Sequence, residues 1–160
     1  FVNKDNKGYE PYHAATQLYE KHGFDLEIIS KDFYDDKEDQ SIYSKDLRPS
    51  IDKTIFKEEE KPTIRFEDIF EIAESEGSYS FAWKVIKKPF FQKRSFSTED
   101  LLIGIKAVKE KNGRKIFITF PSNLPLIHSP LQEAGFKYIG ELKNYYELGI
   151  HEMHFVHNLD

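Results

Sequence analysis

Apolar residues first fall into a helical rhythm at Ala14, Ala15, Leu18 and Tyr19, one face of a helix whose first turn suits Pro11. Gly23 fits the left-handed cap that stops it. Residues 26–30 and 41–47 then read as strands around the acidic run Asp35-Asp36-Lys37-Glu38-Asp39, a solvated hairpin tip. Arg48-Pro49-Ser50 reads as a linker and residues 57–62 as a second polar break. Phe66, Ile69, Phe70 and Ala73 predict a short amphipathic helix ending near Gly77, with Glu67, Asp68, Glu71 and Glu74 on its surface. Tyr79, Phe81, Trp83 and Val85 alternate with smaller or polar residues, the period of a half-buried strand. Ser97 or Thr98 would cap the next helix, which has Glu99 and Asp100 in its first turn. Leu101, Leu102, Ile105 and Val108 form its buried stripe, and Asn112-Gly113 ends it. Residues 115–120 are a strong strand. A short helix near 130–134 leads through Gly135 to strands near 136–142 and 152–157. From residue 49 on, the expected order is helix, strand, helix, strand, helix, strand, strand.

One part of this pattern occurs twice. Gly23-Phe24 aligns without a gap on Gly135-Phe136, 112 residues later. At the same spacing Lys31-Asp32-Phe33-Tyr34 meets Lys143-Asn144-Tyr145-Tyr146, and Leu47 meets Leu159. A helix closing at Gly-Phe, then a strand, an aromatic pair and a final strand suggests the end of one module followed by a second. Phe1-Val2-Asn3 reads as the tail of a strand and residues 4–10 as a polar loop, so the first module is expected to be truncated. The expected division is residues 1–48 and 49–160.

Composition narrows the function classes. A chain of 160 residues suits one domain, or one domain and a fragment, and fourteen Phe, nine Tyr and one Trp can fill a core. A net charge of −5 argues against a general nucleic-acid binder. The absence of cysteine removes disulfides, thiolate catalysis and Cys-based metal sites, and is compatible with a cytoplasmic protein. No apolar run approaches the roughly 20 residues of a membrane span, and no signal peptide is evident.

The element order, with Ala15-x-x-Leu18-Tyr19-Glu20-Lys21-x-Gly23-Phe24 ahead of two strands, resembles the GNAT superfamily of acyl-CoA-dependent N-acetyltransferases. The match is most specific over residues 12–47 and weaker over 115–159, about half the chain together. The resemblance implies a mixed, largely antiparallel sheet flanked by helices, an α/β (α+β) GNAT-like fold. It also implies acetyl-CoA as cosubstrate and a small-molecule or peptide amine as acceptor, and a homodimer is compatible with it. Tyr19 would protonate the departing thiolate, a role that suits a phenol with pKa near 10. The bland alternative is an aromatic on the buried face of a helix. In the second module its counterpart is Leu131, which cannot act as an acid. The family's phosphate-binding pattern, Gln/Arg-x-x-Gly-x-Gly/Ala, has one candidate here: Gln92-Lys93-Arg94-Ser95-Phe96-Ser97. Both glycines are replaced by serines, which restrict the close backbone approach a pyrophosphate requires. Lys87, Lys88, Lys93 and Arg94 would attract phosphate charge, although an ordinary basic loop before a capped helix reads the same way.

Other constellations carry less. His151, His154 and His157 raise a metal reading, but on a strand His154 points away from the other two. His151-Glu152-Met153-His154 is one residue short of the helical zinc-protease spacing, so a solvated strand face is expected and no metal. His22 suits a helix C-terminus better than a base. No residue stands out as a general base, and no Gly-x-Ser-x-Gly elbow points to a hydrolase. The competing reading is a degenerate, non-catalytic module used for binding or packing.

Overall fold

The computed structural model describes residues 10–47, 63–86 and 96–159. The expected strand at 1–3, the linker at 48–50, the polar break at 57–62 and the basic residues Lys87, Lys88, Lys93 and Arg94 lie outside the described residues, as does the expected loop at 4–10 up to Glu10, which begins the first helix. Helix α1 (Glu10–Lys21) is followed by the hairpin β1 (Asp25–Asp35) and β2 (Glu38–Ser44). Then come β3 (Thr63–Glu71), β4 (Ser78–Ile86), α2 (Thr98–Glu110), β5 (Lys115–Pro121), a 3₁₀ turn (Pro125–Ile127), α3 (His128–Glu133), β6 (Lys137–Glu147) and β7 (Ile150–Asn158). Strands β3 to β7 form one sheet in the order β3-β4-β5-β7-β6, in which only the β4–β5 pair is parallel. The architecture is therefore a mixed, largely antiparallel sheet flanked by helices.

One expected element is corrected. Residues 66–73 do not form a helix; Phe66, Ile69 and Phe70 lie on β3, and Ala73 falls in the turn after it. The reason is a bulge between Phe66 and Asp68 in the pairing with β4. An inserted residue turns a strand's spacing of two into three, which mimics a helical step. Ile64 and Phe66 precede the bulge and Ile69 follows it, and all three reach the core or its margin. Glu67, Asp68 and Glu71 accordingly sit on a strand and Glu74 in the turn.

The two faces of the sheet are covered differently. On one, Leu101, Ile105 and Val108 of α2 and Leu131 of α3 bury Ile116, Ile118 and Phe120 of β5 with Met153 and Phe155 of β7. On the other lies the β1–β2 hairpin. Its Phe33 ring meets Phe117 at 4.7 Å, and Ser78 Oγ donates to the Phe33 carbonyl at 2.5 Å. At one end of the sheet Arg114 Nε holds the Glu76 carbonyl at 2.6 Å, while Glu76 N–H donates to the Tyr34 carbonyl at 2.7 Å.

The repeat seen in the sequence has a geometric counterpart at the same spacing. Phe24 N–H donates to the Tyr19 carbonyl at 3.0 Å, and Phe136 N–H to the Leu131 carbonyl at 2.9 Å. Strand pairs repeat residue for residue: Leu26 with Tyr43 as Tyr138 with Phe155, and Ile28 with Ile42 as Gly140 with His154. Left-handed backbone recurs at Asp32 and Asn144, and at Lys37 and Gly149. Lys37 N–H donates to Asp32 Oδ1 at 2.9 Å, as Gly149 N–H does to Asn144 Oδ1 at 2.8 Å. Asp39 Oδ1 accepts from Asp32 N–H at 2.9 Å, and His151 Nδ1 accepts from Asn144 N–H at the same distance. Asp39 is thus not part of a solvated tip: it is 6% exposed and also takes Lys31 Nζ at 2.5 Å.

The charges that pin this hairpin to the sheet predict a pH dependence. Lys115 Nζ donates to Asp32 Oδ2 at 3.0 Å and to the Lys31 carbonyl at 2.9 Å. The bond from Lys115, and then the Lys37 N–H, hold the Asp32 carboxyl below its ordinary value of 3.8. A carboxyl depressed in the folded state stabilises it above the unfolded pKa, and that contribution fades as pH falls through the folded value. The urea midpoint of the native chain is therefore expected to drop on acidification below about pH 4, beyond the drop of Asp32→Asn. Parallel curves for the two proteins would show that the Asp32 charge does not matter. Asn fits this left-handed position, as Asn144 shows.

Candidate functional site

Strands β4 and β5 start together and part. Their parallel pairing covers Ser78, Tyr79 and Ser80 against Lys115, Ile116 and Phe117. Beyond it β4 continues to Ile86 and β5 to Pro121, each still paired on its far side, to β3 and to β7. Among the described residues no strand lies between the parted segments, so facing backbone edges line a cleft. Backbone N–H and C=O groups on such edges are ready partners for an extended ligand. A gap at the carboxyl ends of parallel strands is also where sheets of this kind commonly place ligands.

Phe96 and Ser97 are the described residues between β4 and α2. Helix α2 starts where expected, and Ser97 is its N-cap. The Ser97 hydroxyl accepts from Asp100 N–H at 3.3 Å and donates to Asp100 Oδ2 at 3.1 Å. Glu99 and Asp100 add acidic charge to the first turn, which complements the helix dipole and competes with a bound anion. Phe96, 6% exposed, faces the core and meets Phe120 edge-on at 5.3 Å. Gln92, Lys93, Arg94 and Ser95 lie outside the described residues.

Across the cleft a side chain bridges the two strands. Trp83 Nε1–H of β4 donates to the Thr119 carbonyl of β5 at 2.6 Å. The indole stacks on Phe120 with centroids 4.1 Å apart. The alternating pattern places Trp83 on the face of Tyr79 and Phe81, but not the reach of its indole to the neighbouring strand.

Tyr19 lies elsewhere. Its ring, half-buried, meets Phe24 at 5.8 Å and Tyr43 at 5.4 Å, both in the chain that closes and follows α1. The Tyr19 position and the candidate phosphate loop thus belong to different parts of the repeat. Leu131, the counterpart of Tyr19, is 1% exposed in the core. His22 follows α1, and its carbonyl accepts from Lys45 Nζ at 2.7 Å.

The three histidines of β7 correct the expectation of a solvated face: all are half-buried. His151 takes the Asn144 N–H, and His157 packs against the Phe136 ring at 5.3 Å. His154 Nε2 lies 2.9 Å from Glu152 Oε2, and Tyr146 Oη donates to Glu152 Oε1 at 3.3 Å. Desolvation, and then the Glu152 carboxylate, push the Tyr146 phenol above its ordinary value. A carboxylate between a phenol and an imidazole is an acid–base group that sequence spacing did not reveal. It forms only because the hairpin turn brings Tyr146 opposite this stretch of β7. Among the described residues no group of three or more His, Asp or Glu side chains could hold a metal ion. Among them, too, no helix is long and apolar enough to cross a membrane.

No family model matches the chain, and no curated protein matches it significantly. Among solved structures it is similar to a protein from Desulfovibrio desulfuricans ascribed to the GNAT acetyltransferases, at 20% identity and a TM-score of 0.47. That likeness covers 56% of this chain and 58% of the other. A second is yncA of Salmonella typhimurium, ascribed to the acetyltransferases and solved with its cofactor acetyl-CoA, at 11% identity and a TM-score of 0.48, over 61% of this chain and 57% of that one. The ribosomal-protein-alanine N-acetyltransferase of Brucella melitensis aligns over 94% of this chain and 78% of its own, at 10% identity and a TM-score of 0.45. The chain spans little more than half the length of the first two structures.

Proposed function

We propose that the chain is part of a GNAT-type N-acetyltransferase that passes an acyl group from acetyl-CoA to a small-molecule or peptide amine. The observation that carries the reading is the parting of β4 and β5 after three residue pairs, beside the segment that enters the capped helix α2. The neutral amine would attack the thioester directly, the carbon–sulfur bond would break, and backbone N–H groups would stabilise the oxyanion. Tyr19, in the Leu-Tyr-Glu-Lys helix, is the proposed acid that returns a proton to the leaving sulfur. We take residues 1–48 as the closing part of a first unit and 49–160 as a second, a reading supported by the matching registers of the two hairpins. A cytoplasmic location, and a homodimer, belong to the same proposal.

A second reading is favoured by a specific observation. The Trp83 bridge, the acidic first turn of α2 and serines in place of loop glycines all suit a unit that no longer binds cofactor. Calorimetric titration with acetyl-CoA and with free CoA separates the two. Micromolar binding, lost in Arg94→Ala, is expected if the loop and cleft hold the cofactor. A folded protein that gives no heat would make residues 49–160 a binding or structural module. In the complete protein Tyr19→Phe is expected to slow turnover by about 10²-fold or more, and unchanged turnover would remove Tyr19 from the mechanism.

A further inference from the structure

The cleft between β4 and β5 already has an occupant from the chain itself. Trp83 leaves β4 on the side of Tyr79 and Phe81, yet its Nε1–H ends on the Thr119 carbonyl of β5 at 2.6 Å. The rest of the indole lies on Phe120, which is 0% exposed, and Phe96 closes on the same ring from the segment before α2. One side chain therefore spans the gap, satisfies a carbonyl of β5 and stacks on the ring against which Phe96 packs. An extended chain laid between two strands needs them about 9–10 Å apart, two strand spacings. The Trp83 indole reaches from β4 to the backbone of β5 across that path. Its N–H on a backbone carbonyl is also the kind of bond that a secondary amide could replace.

We propose that Trp83 is the binding determinant of this cleft: the indole stands in for the amide of an extended ligand arm, and such an arm enters only as the indole leaves Thr119. The ligand class is a thioester or thiol on a slender, amide-bearing arm, as in acyl-CoA, and in this the inference rests on the acetyl-CoA reading above. The adenosine and phosphate parts of such a ligand would lie outside the bridged gap and leave the indole in place.

The bridge can be followed directly, because Trp83 is the single tryptophan in 160 residues. The native chain and Trp83→Phe, which keeps a ring against Phe120 but has no donor, are titrated calorimetrically with acetyl-CoA and with adenosine 3′,5′-bisphosphate. Tryptophan emission of the native chain is recorded in parallel. Acetyl-CoA is expected to shift that emission to longer wavelength, and the bisphosphate to leave it unchanged. Trp83→Phe is expected to bind acetyl-CoA about three- to tenfold more tightly, the equivalent of one net hydrogen bond no longer to be broken. Binding in Trp83→Phe alone would support the same conclusion more strongly. Heat from acetyl-CoA with unchanged emission and equal affinity in the variant would overturn the role of Trp83 and leave the acetyl-CoA reading standing. No binding by either folded protein would overturn both.

Discussion

Phe120→Ala is expected to lower the unfolding free energy by about 3–5 kcal/mol, the usual range for deleting a buried aromatic ring. Phe120 has no exposed surface and is held on one side by Trp83 and on another by Phe96. It is thus shared by β4, by β5 and by the entry to α2. The bridge from Trp83 to the Thr119 carbonyl limits how far these neighbours can collapse into the space left behind. Urea unfolding, followed by circular dichroism, measures the effect. A loss below about 1 kcal/mol would mean that the ring is not packed as described.

Gly113→Ala is expected to cost about 1–3 kcal/mol, although it adds a single methyl group. A Cβ at Gly113 would stand 2.3 Å from Val108 Cγ1 and 2.9 Å from Tyr79 Cε2. Neither neighbour can retreat: Val108 is fully buried in α2, and Tyr79 is 6% exposed in β4 beside it. The left-handed residue that ends α2 is Asn112, with φ of 58°. Gly113 N–H donates to the Val108 carbonyl at 3.0 Å, which draws the chain back over the last turn. Glycine is needed at 113 for closeness, while asparagine makes the bend. Thermal unfolding of Gly113→Ala beside Asn112→Gly tests this division: the first is expected to destabilise clearly, the second by little.

The sequence made most elements legible because their punctuation is local. Gly23 and Gly135 close helices, Ser97 opens one, and alternation from Tyr79 marks a strand. The bulge at residues 66–68 hides the period of β3, so its apolar spacing imitates a helix. The cleft was not legible, since the parting of two strands leaves no mark in either one. Trp83 shows the same limit: alternation assigns a face, whereas its long side chain ends on another strand's backbone. The Tyr146–Glu152–His154 group depends on hairpin pairing, which residue spacing does not encode. The repeat was visible as Gly-Phe, yet Asp39 and His151, unlike in sequence, do the same task. A carboxylate oxygen and an imidazole nitrogen accept the same backbone proton at the same place.

The packing of the two hairpins carries a consequence for assembly. Ile28 and Gly140 occupy equivalent positions in the repeat and face each other, and a Cβ on Gly140 would come within 3.1 Å of Ile28 Cγ1. A protrusion on one copy thus meets a recess on the other. Two first hairpins brought together in this way would set isoleucine against isoleucine, and two second hairpins would leave a void. Either pairing is penalised relative to the mixed one. The two hairpins, alike in register and unlike in side chains, thereby meet as a matched pair of unlike surfaces.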